Sequence, residues 1–251
     1  SKQRLEIDEW AGSFEGQMRK KLQLAIDKYL ADLDASLAAA QKLTGKLIAH
    51  VNFGRQWLDP QGRPLADAGE PLVEADKTVA DLDQQSTGTP YAFIGLQLND
   101  INLAHITPAR GHLEDAATVT AKTKRLGEEL DQGKYHIDRA REKLAALTKQ
   151  YEDVKRQEKV SEAMEKLAKM HEMFVEDMHA FLKASKPWLN PRDPKYSELS
   201  DEEMAELIKK LEARFEKLKE LMAALAEALA DDPELLRRYM AAMRLEADTI
   251  R

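Results

Sequence analysis

The sequence contains no cysteine. Disulfides, Cys-ligated zinc, iron–sulfur clusters and thiol catalysis are therefore excluded. Aromatic residues make up only 6% of the 251 positions, while 33% are charged. That balance points to helices with solvated faces rather than to a deep globular enzyme. No run of 18 apolar residues occurs, so no segment reads as a membrane-spanning helix. The least charged stretch, residues 84–109, has Asp100 as its only formal charge but carries too much Gln, Asn, Thr and His for a span. A basic patch is also missing. The net charge is −7 and no third of the chain is net basic, so neither a nucleic-acid backbone nor a polybasic lipid site is expected. The short clusters Arg19-Lys20-Lys21 and Lys122, Lys124, Arg125 are the exceptions. No Gly-rich phosphate loop, dinucleotide fingerprint or nucleophile elbow is present. The expectation is a chain that is not an enzyme and holds no cofactor. It starts at Ser1 and stops at Ile250-Arg251 within a helical pattern, which reads as an excised piece of a longer protein and leaves localisation unknown.

What is abundant is helical periodicity. Phe14, Met18, Leu22, Ile26, Leu30, Leu33, Leu37, Leu43 and Leu47 fall mostly in steps of three and four, predicting a helix from about Phe14 to Val51. Pro60, Gly62, Pro64, Gly69 and Pro71 then read as a break over residues 52–71, with a shorter helix from Leu72 to about Leu82. Thr89-Pro90 and Thr107-Pro108 read as helix starts. Between them, residues 91–106 fit either a helix or a hairpin turning at Asn99-Asp100, and helix is the preferred reading. A second long helix is expected from Pro108 to Ala184. Its seam is Leu126, Leu130, Gly133, Ile137, Ala140, Leu144, Leu147, Tyr151 and Val154, resuming at Val160, Met164, Leu167, His171, Phe174, Met178 and Phe181. The Val154-to-Val160 step is six residues, a stammer-like interruption of the seven-residue repeat. At full length this helix would span about 115 Å, so a long rod, a hairpin or a break near Gly127 or Gly133 has to resolve it.

Pro187, Pro191 and Pro194 mark a linker. Ser200-Asp201-Glu202-Glu203 is a capping box that opens the next helix. That helix carries Met204, Leu207, Leu211, Phe215, Leu218, Met222, Leu225 and Leu229, and Asp231-Asp232-Pro233 separates it from a last one over 234–251. The expected fold is all-α: an elongated antiparallel helical bundle or coiled coil with a small helical head. Its parts are a long helix over 1–51, a Pro/Gly-rich break and head over 52–107, a coiled-coil helix over 108–185, a linker over 186–199, and antiparallel helices over 200–251.

The expected role is structural: a scaffolding region that associates with itself or with another helical protein through these seams. A membrane-associated alternative places the contact on Tyr91, Phe93, Ile94, Leu96, Leu98, Ile101 and Leu103 of the low-charge head. A second alternative is metal binding around His171, Glu176 and His179. Glu176-x-x-His179 has the spacing of half a di-iron carboxylate site, but no second Glu-x-x-His completes it. Met170, Met173 and Met178 lie beside these histidines, where core filling is the simpler reading.

Overall fold

A computed structural model of the chain describes residues 2–52, 63–119, 123–189 and 200–228, together with residue 237. Among the described residues the fold is all-α, with no strand. The helices are α1 (Lys2–Asn52), α2 (Arg63–Ser86), α3 (Ala92–Ile101), α4 (Thr107–Thr118), α5 (Thr123–Leu189) and α6 (Asp201–Ala228). A π-helical turn, Asn102–Ile106, joins α3 to α4. The chain divides into two compact units, residues 1–151 and residues 152–251. Unit 1 holds α1 to α4 and α5 as far as Tyr151, and unit 2 holds the rest of α5 and α6.

Unit 1 is an up-and-down arrangement of four helical arms, with α3, the π turn and α4 forming one arm. Side-chain pairs give the direction of each neighbour. On α1 and α5, Gln23 meets Tyr151, Asp34 meets Arg141 and Gln41 meets Asp138, so the two helices run oppositely. Gln85, near the end of α2, reaches Tyr29 near the middle of α1. Asp83 lies against Gly95 and Asp76 bonds Asn102, which sets the third arm antiparallel to α2. Gln97 meets Gln150, His105 meets His136 and His112 meets Glu129, closing the ring of four on α5.

The core of unit 1 follows from the spacing of its small and aliphatic residues. On α1 the buried positions are Ile26, Leu30, Leu33, Leu37, Ala40, Thr44 and Leu47. On α2 they are Leu65, Ala68, Leu72, Ala75, Val79, Leu82 and Ser86, and on α5 Leu126, Leu130, Ile137, Ala140, Leu144, Leu147 and Tyr151. Steps of three and four keep each set on one stripe, and each buried Leu or Ile contributes about 1.5–3 kcal/mol. Met18 is exposed and Leu43 half-buried, so the α1 seam passes through Ala40 and Thr44 instead. At one end of the core Tyr91 and Tyr151 are fully buried, edge to face at 5.7 Å. Gln23 Nε2 donates to the Tyr91 hydroxyl, and the Tyr151 hydroxyl donates to the Gln23 carbonyl.

The third arm has one irregular step. Tyr91, Ile94, Leu98 and Ile101 are buried, and the next buried position is Ile106, five residues on, followed by Ala109, Leu113 and Ala116. A regular α-helix would carry a five-residue step off the stripe. The π turn, whose hydrogen bonds span five residues rather than four, absorbs the extra residue and returns Ile106 to the core. Pro108 supplies a second cause. It has no N–H for the Ala104 carbonyl four residues before it, and its ring would press on that carbonyl in a tight α-helix. Widening the turn relieves the contact.

Several expectations change. Pro64, Gly69 and Pro71 lie inside α2 rather than in a break. Pro64 sits in the first turn, where the missing N–H costs nothing. Pro71 forfeits one backbone bond, and the stripe beginning at Leu65 and Ala68 outweighs it. Residues 91–106 are helical, as preferred over the hairpin. The long helix expected from Pro108 is two helices: α4 ends at Thr118 and α5 begins at Thr123, ahead of both Gly127 and Gly133. This break turns α4 back against α5. Within unit 1, α2 packs on α1 and α3 packs on α2, so both contribute to its core. Pro187 does not end α5, which runs to Leu189. The helix expected over 234–251 lies outside the described residues, apart from residue 237.

In unit 2, Val160, Leu167, Leu218 and Leu225 form a buried cluster with Ala163, Met170, Phe174, Leu221 and Met222 packed on it. Phe174 meets Phe215 at 6.0 Å, and Asp177 pairs with Lys210 and Arg214, so the α5 segment and α6 run antiparallel. The capping box forms as expected: Ser200 Oγ accepts the Glu203 N–H, and a Glu203 carboxylate oxygen accepts the Ser200 N–H.

Candidate functional site

The residues expected at a partner or membrane surface are split by the bundle. Tyr91, Ile94, Leu98 and Ile101 are buried in unit 1 and Phe93 is half-buried. Leu96 and Leu103 remain outside, 65% and 71% exposed. Their apolar neighbours are spent on the core, so no continuous apolar face is left on this arm. No described helix is long and apolar enough to cross a membrane.

The expected metal residues do not converge. His171 is half-buried, whereas Glu176 and His179 are exposed. Among the described residues no group of three or more His, Asp or Glu side chains is arranged to hold a metal ion. The expected seam residues Leu126, Leu130, Ile137, Leu144, Leu147 and Tyr151 are buried in unit 1, with Val154 half-buried just beyond them. In unit 2, Leu167, Leu218 and Leu225 are buried, and Phe174, Met178, Phe181, Leu207 and Leu211 half-buried. Met164 and Phe215 are more open, 40% and 47% exposed, although Phe215 still meets Phe174 across the helix pair. A pair of helices covers one face of each partner, and these two side chains stand beside that face.

The cluster that sequence reasoning missed is made of His105, His112 and His136. His105 comes from the π turn, His112 from α4 and His136 from α5. His105 and His112 are seven residues apart, which places both on one side of the arm, and α5 brings His136 against them. The Nδ1 atoms of His105 and His136 are 3.3 Å apart, with ring centroids at 5.6 Å. His112 lies nearly parallel to His136, also at 5.6 Å. Glu129 Oε2 is 2.8 Å from His112 Nδ1. Tyr135 packs edge-on against His136 and carries the Arg139 guanidinium over its ring.

His136 also hydrogen-bonds the Ala104 backbone, the carbonyl that Pro108 leaves without its usual donor. The irregular turn and the imidazole cluster are thus one construction. Burial pushes the His105 pKa down, and the charges of His136, Lys143 and Arg139 add to it. Burial also pushes the His136 pKa down, with the His112 charge adding and the Ala104 carbonyl opposing. The short spacing of His105 and His112 was visible in the sequence, but His136 joins them only through the fold.

No family profile matches the chain, and neither a curated protein nor a solved structure is similar to it.

Proposed function

We propose that the chain is a helix-association module in which unit 1 is a self-contained bundle and unit 2 self-associates with a second copy. The observation that carries this reading is the apolar flank of α6. Ile208, Phe215 and Met222 recur every seven residues, and Ile208 and Phe215 are 41% and 47% exposed. Ile208 and Phe215 stand beside the seam formed by Met204, Leu211, Leu218 and Leu225, while Met222 continues the line and packs against the buried cluster. On the paired segment of α5, Met164 and Met178 occupy the corresponding flank. With the register set by Phe174–Phe215 and Asp177–Lys210, they fall level with Met222 and Ile208 on the same side of the pair. An apolar strip of this kind, one helix wide at heptad spacing, is the surface a further helix covers.

The reading is tested by sedimentation velocity over a hundredfold range of concentration. The expected result is a reversible increase in mass that the Ile208→Glu/Phe215→Glu double variant abolishes while keeping its helical circular dichroism. A monomer at every concentration refutes it.

A further inference from the structure

The imidazole cluster lies on the seam between α4 and α5 of unit 1 and shares no residue with the flank of α6 invoked above. An Nδ1···Nδ1 contact at 3.3 Å needs one ring to donate and the other to accept. The accepting ring must be neutral, so double protonation of His105 and His136 destroys the contact. The third ring, His112, stacks on the same His136 and adds a further charge when protonated.

The surroundings do little to receive positive charge. From α5 the facing groups are Glu129, Tyr135, Arg139 and Lys143. Glu129 is engaged by His112 and lies 3.9 Å from Arg125. Arg139 and Lys143 both repel a charged His105. From α4 comes Arg110, and from α2 comes Asp76, which is occupied by Asn102 and Arg110. We propose that the His105–His136 pair is a proton-operated latch that holds the π turn and the start of α4 against α5 while at least one of its rings is neutral and releases them on acidification.

The direction follows from linkage. Both His105 and His136 bind protons less readily in the folded chain than an ordinary histidine at 6.5. The unfolded or opened seam therefore takes up more protons once the pH falls below about 6.5, and stability present above that value is lost below it. Burial would raise the Asp138 carboxyl, but the Lys134 and Gln41 side chains hold it below its ordinary 3.8.

The test is urea unfolding of the full chain at pH 5.5 to 7.5, with amide hydrogen exchange of residues 107–118 followed in parallel. The wild-type unfolding constant should rise as pH falls below about 6.5, reporting net proton uptake on unfolding. Exchange in α4, corrected for the intrinsic rate, should rise ahead of that in α1. In His105→Gln/His136→Gln the slope should fall measurably below that of the wild-type chain. An unchanged slope in that variant overturns the proposal. Should the variant fail to fold, the imidazole resonances of the wild-type chain decide: two rings titrating well below the others support the latch, and six rings titrating together overturn it.

Discussion

Gly95 separates two opposing effects of one methyl group. A Cβ built at Gly95 would lie 2.5 Å from Asp83 Oδ1, 2.6 Å from Ser86 Oγ and 3.0 Å from the Asp83 Cα. The first two atoms belong to side chains that can turn aside, although Ser86 is fully buried and bonded to the Asp83 carbonyl. The Cα cannot yield without moving the end of α2. Overpacking of this kind costs about 1–3 kcal/mol, against a gain in helix propensity of about 1 kcal/mol for replacing glycine with alanine. Gly95→Ala should therefore destabilise unit 1 by about 1 kcal/mol. Gly45 is the control: it lies within α1, with nothing within 4 Å of its Cβ position. Gly45→Ala collects the propensity gain alone and should stabilise by about 0.5–1 kcal/mol. Scanning calorimetry would show the two midpoints moving in opposite directions, by about 2–4 °C per kcal/mol. A Gly95→Ala midpoint that rises with that of Gly45→Ala would refute the close packing of α3 on α2.

Three further outcomes follow from single contacts. Tyr151→Phe leaves the buried ring but removes the hydroxyl donated to the Gln23 carbonyl, and urea unfolding should show a loss of about 0.5–1.5 kcal/mol. Ser200→Ala removes the side-chain half of the capping box and should cost about 1 kcal/mol, read as faster amide exchange in the first turn of α6. Asp177, 13% exposed, is shared by Lys210 and Arg214. Asp177→Ala leaves the largely covered Arg214 guanidinium without its partner and should cost about 1–3 kcal/mol. A double-mutant cycle with Arg214→Ala that shows no coupling would remove that pair from the account of unit 2.

Long stripes are legible in a sequence because they average over many residues. The seams of α1 and α5 repeat seven-residue spacing over several turns, and Ser200 with Glu203 is a local signal whose partners lie within one turn. The division at Tyr151 also left a trace. Buried positions in α5 run to Tyr151 and resume at Val160, where the six-residue step from Val154 had already disturbed the repeat. Other features were illegible for physical reasons. Pro64, Gly69 and Pro71 each weaken a helix locally, but the burial of Leu65, Ala68 and Leu72 is a tertiary gain that local signals do not contain. The packing of α3 on α2, with Tyr91 against Tyr151, consumed the apolar face of Tyr91, Ile94, Leu98 and Ile101, which looks available when residues 91–106 are read alone. The histidine cluster needs residues from two antiparallel arms, and no spacing rule joins position 105 to position 136.

The π turn also determines where this chain tolerates a change of length. Elsewhere in unit 1, deleting one residue from a helix rotates every later side chain by about 100°, taking the downstream stripe out of the core. Between Ile101 and Ile106 the same deletion shortens a five-residue step to four, and Ile106, Ala109, Leu113 and Ala116 keep their orientation. Such a deletion would bring the ring of Pro108 back onto a carbonyl and uncouple His105 from His136. The irregular turn thus works as an expansion joint: one residue of slack, wedged open by a proline and fastened by an imidazole.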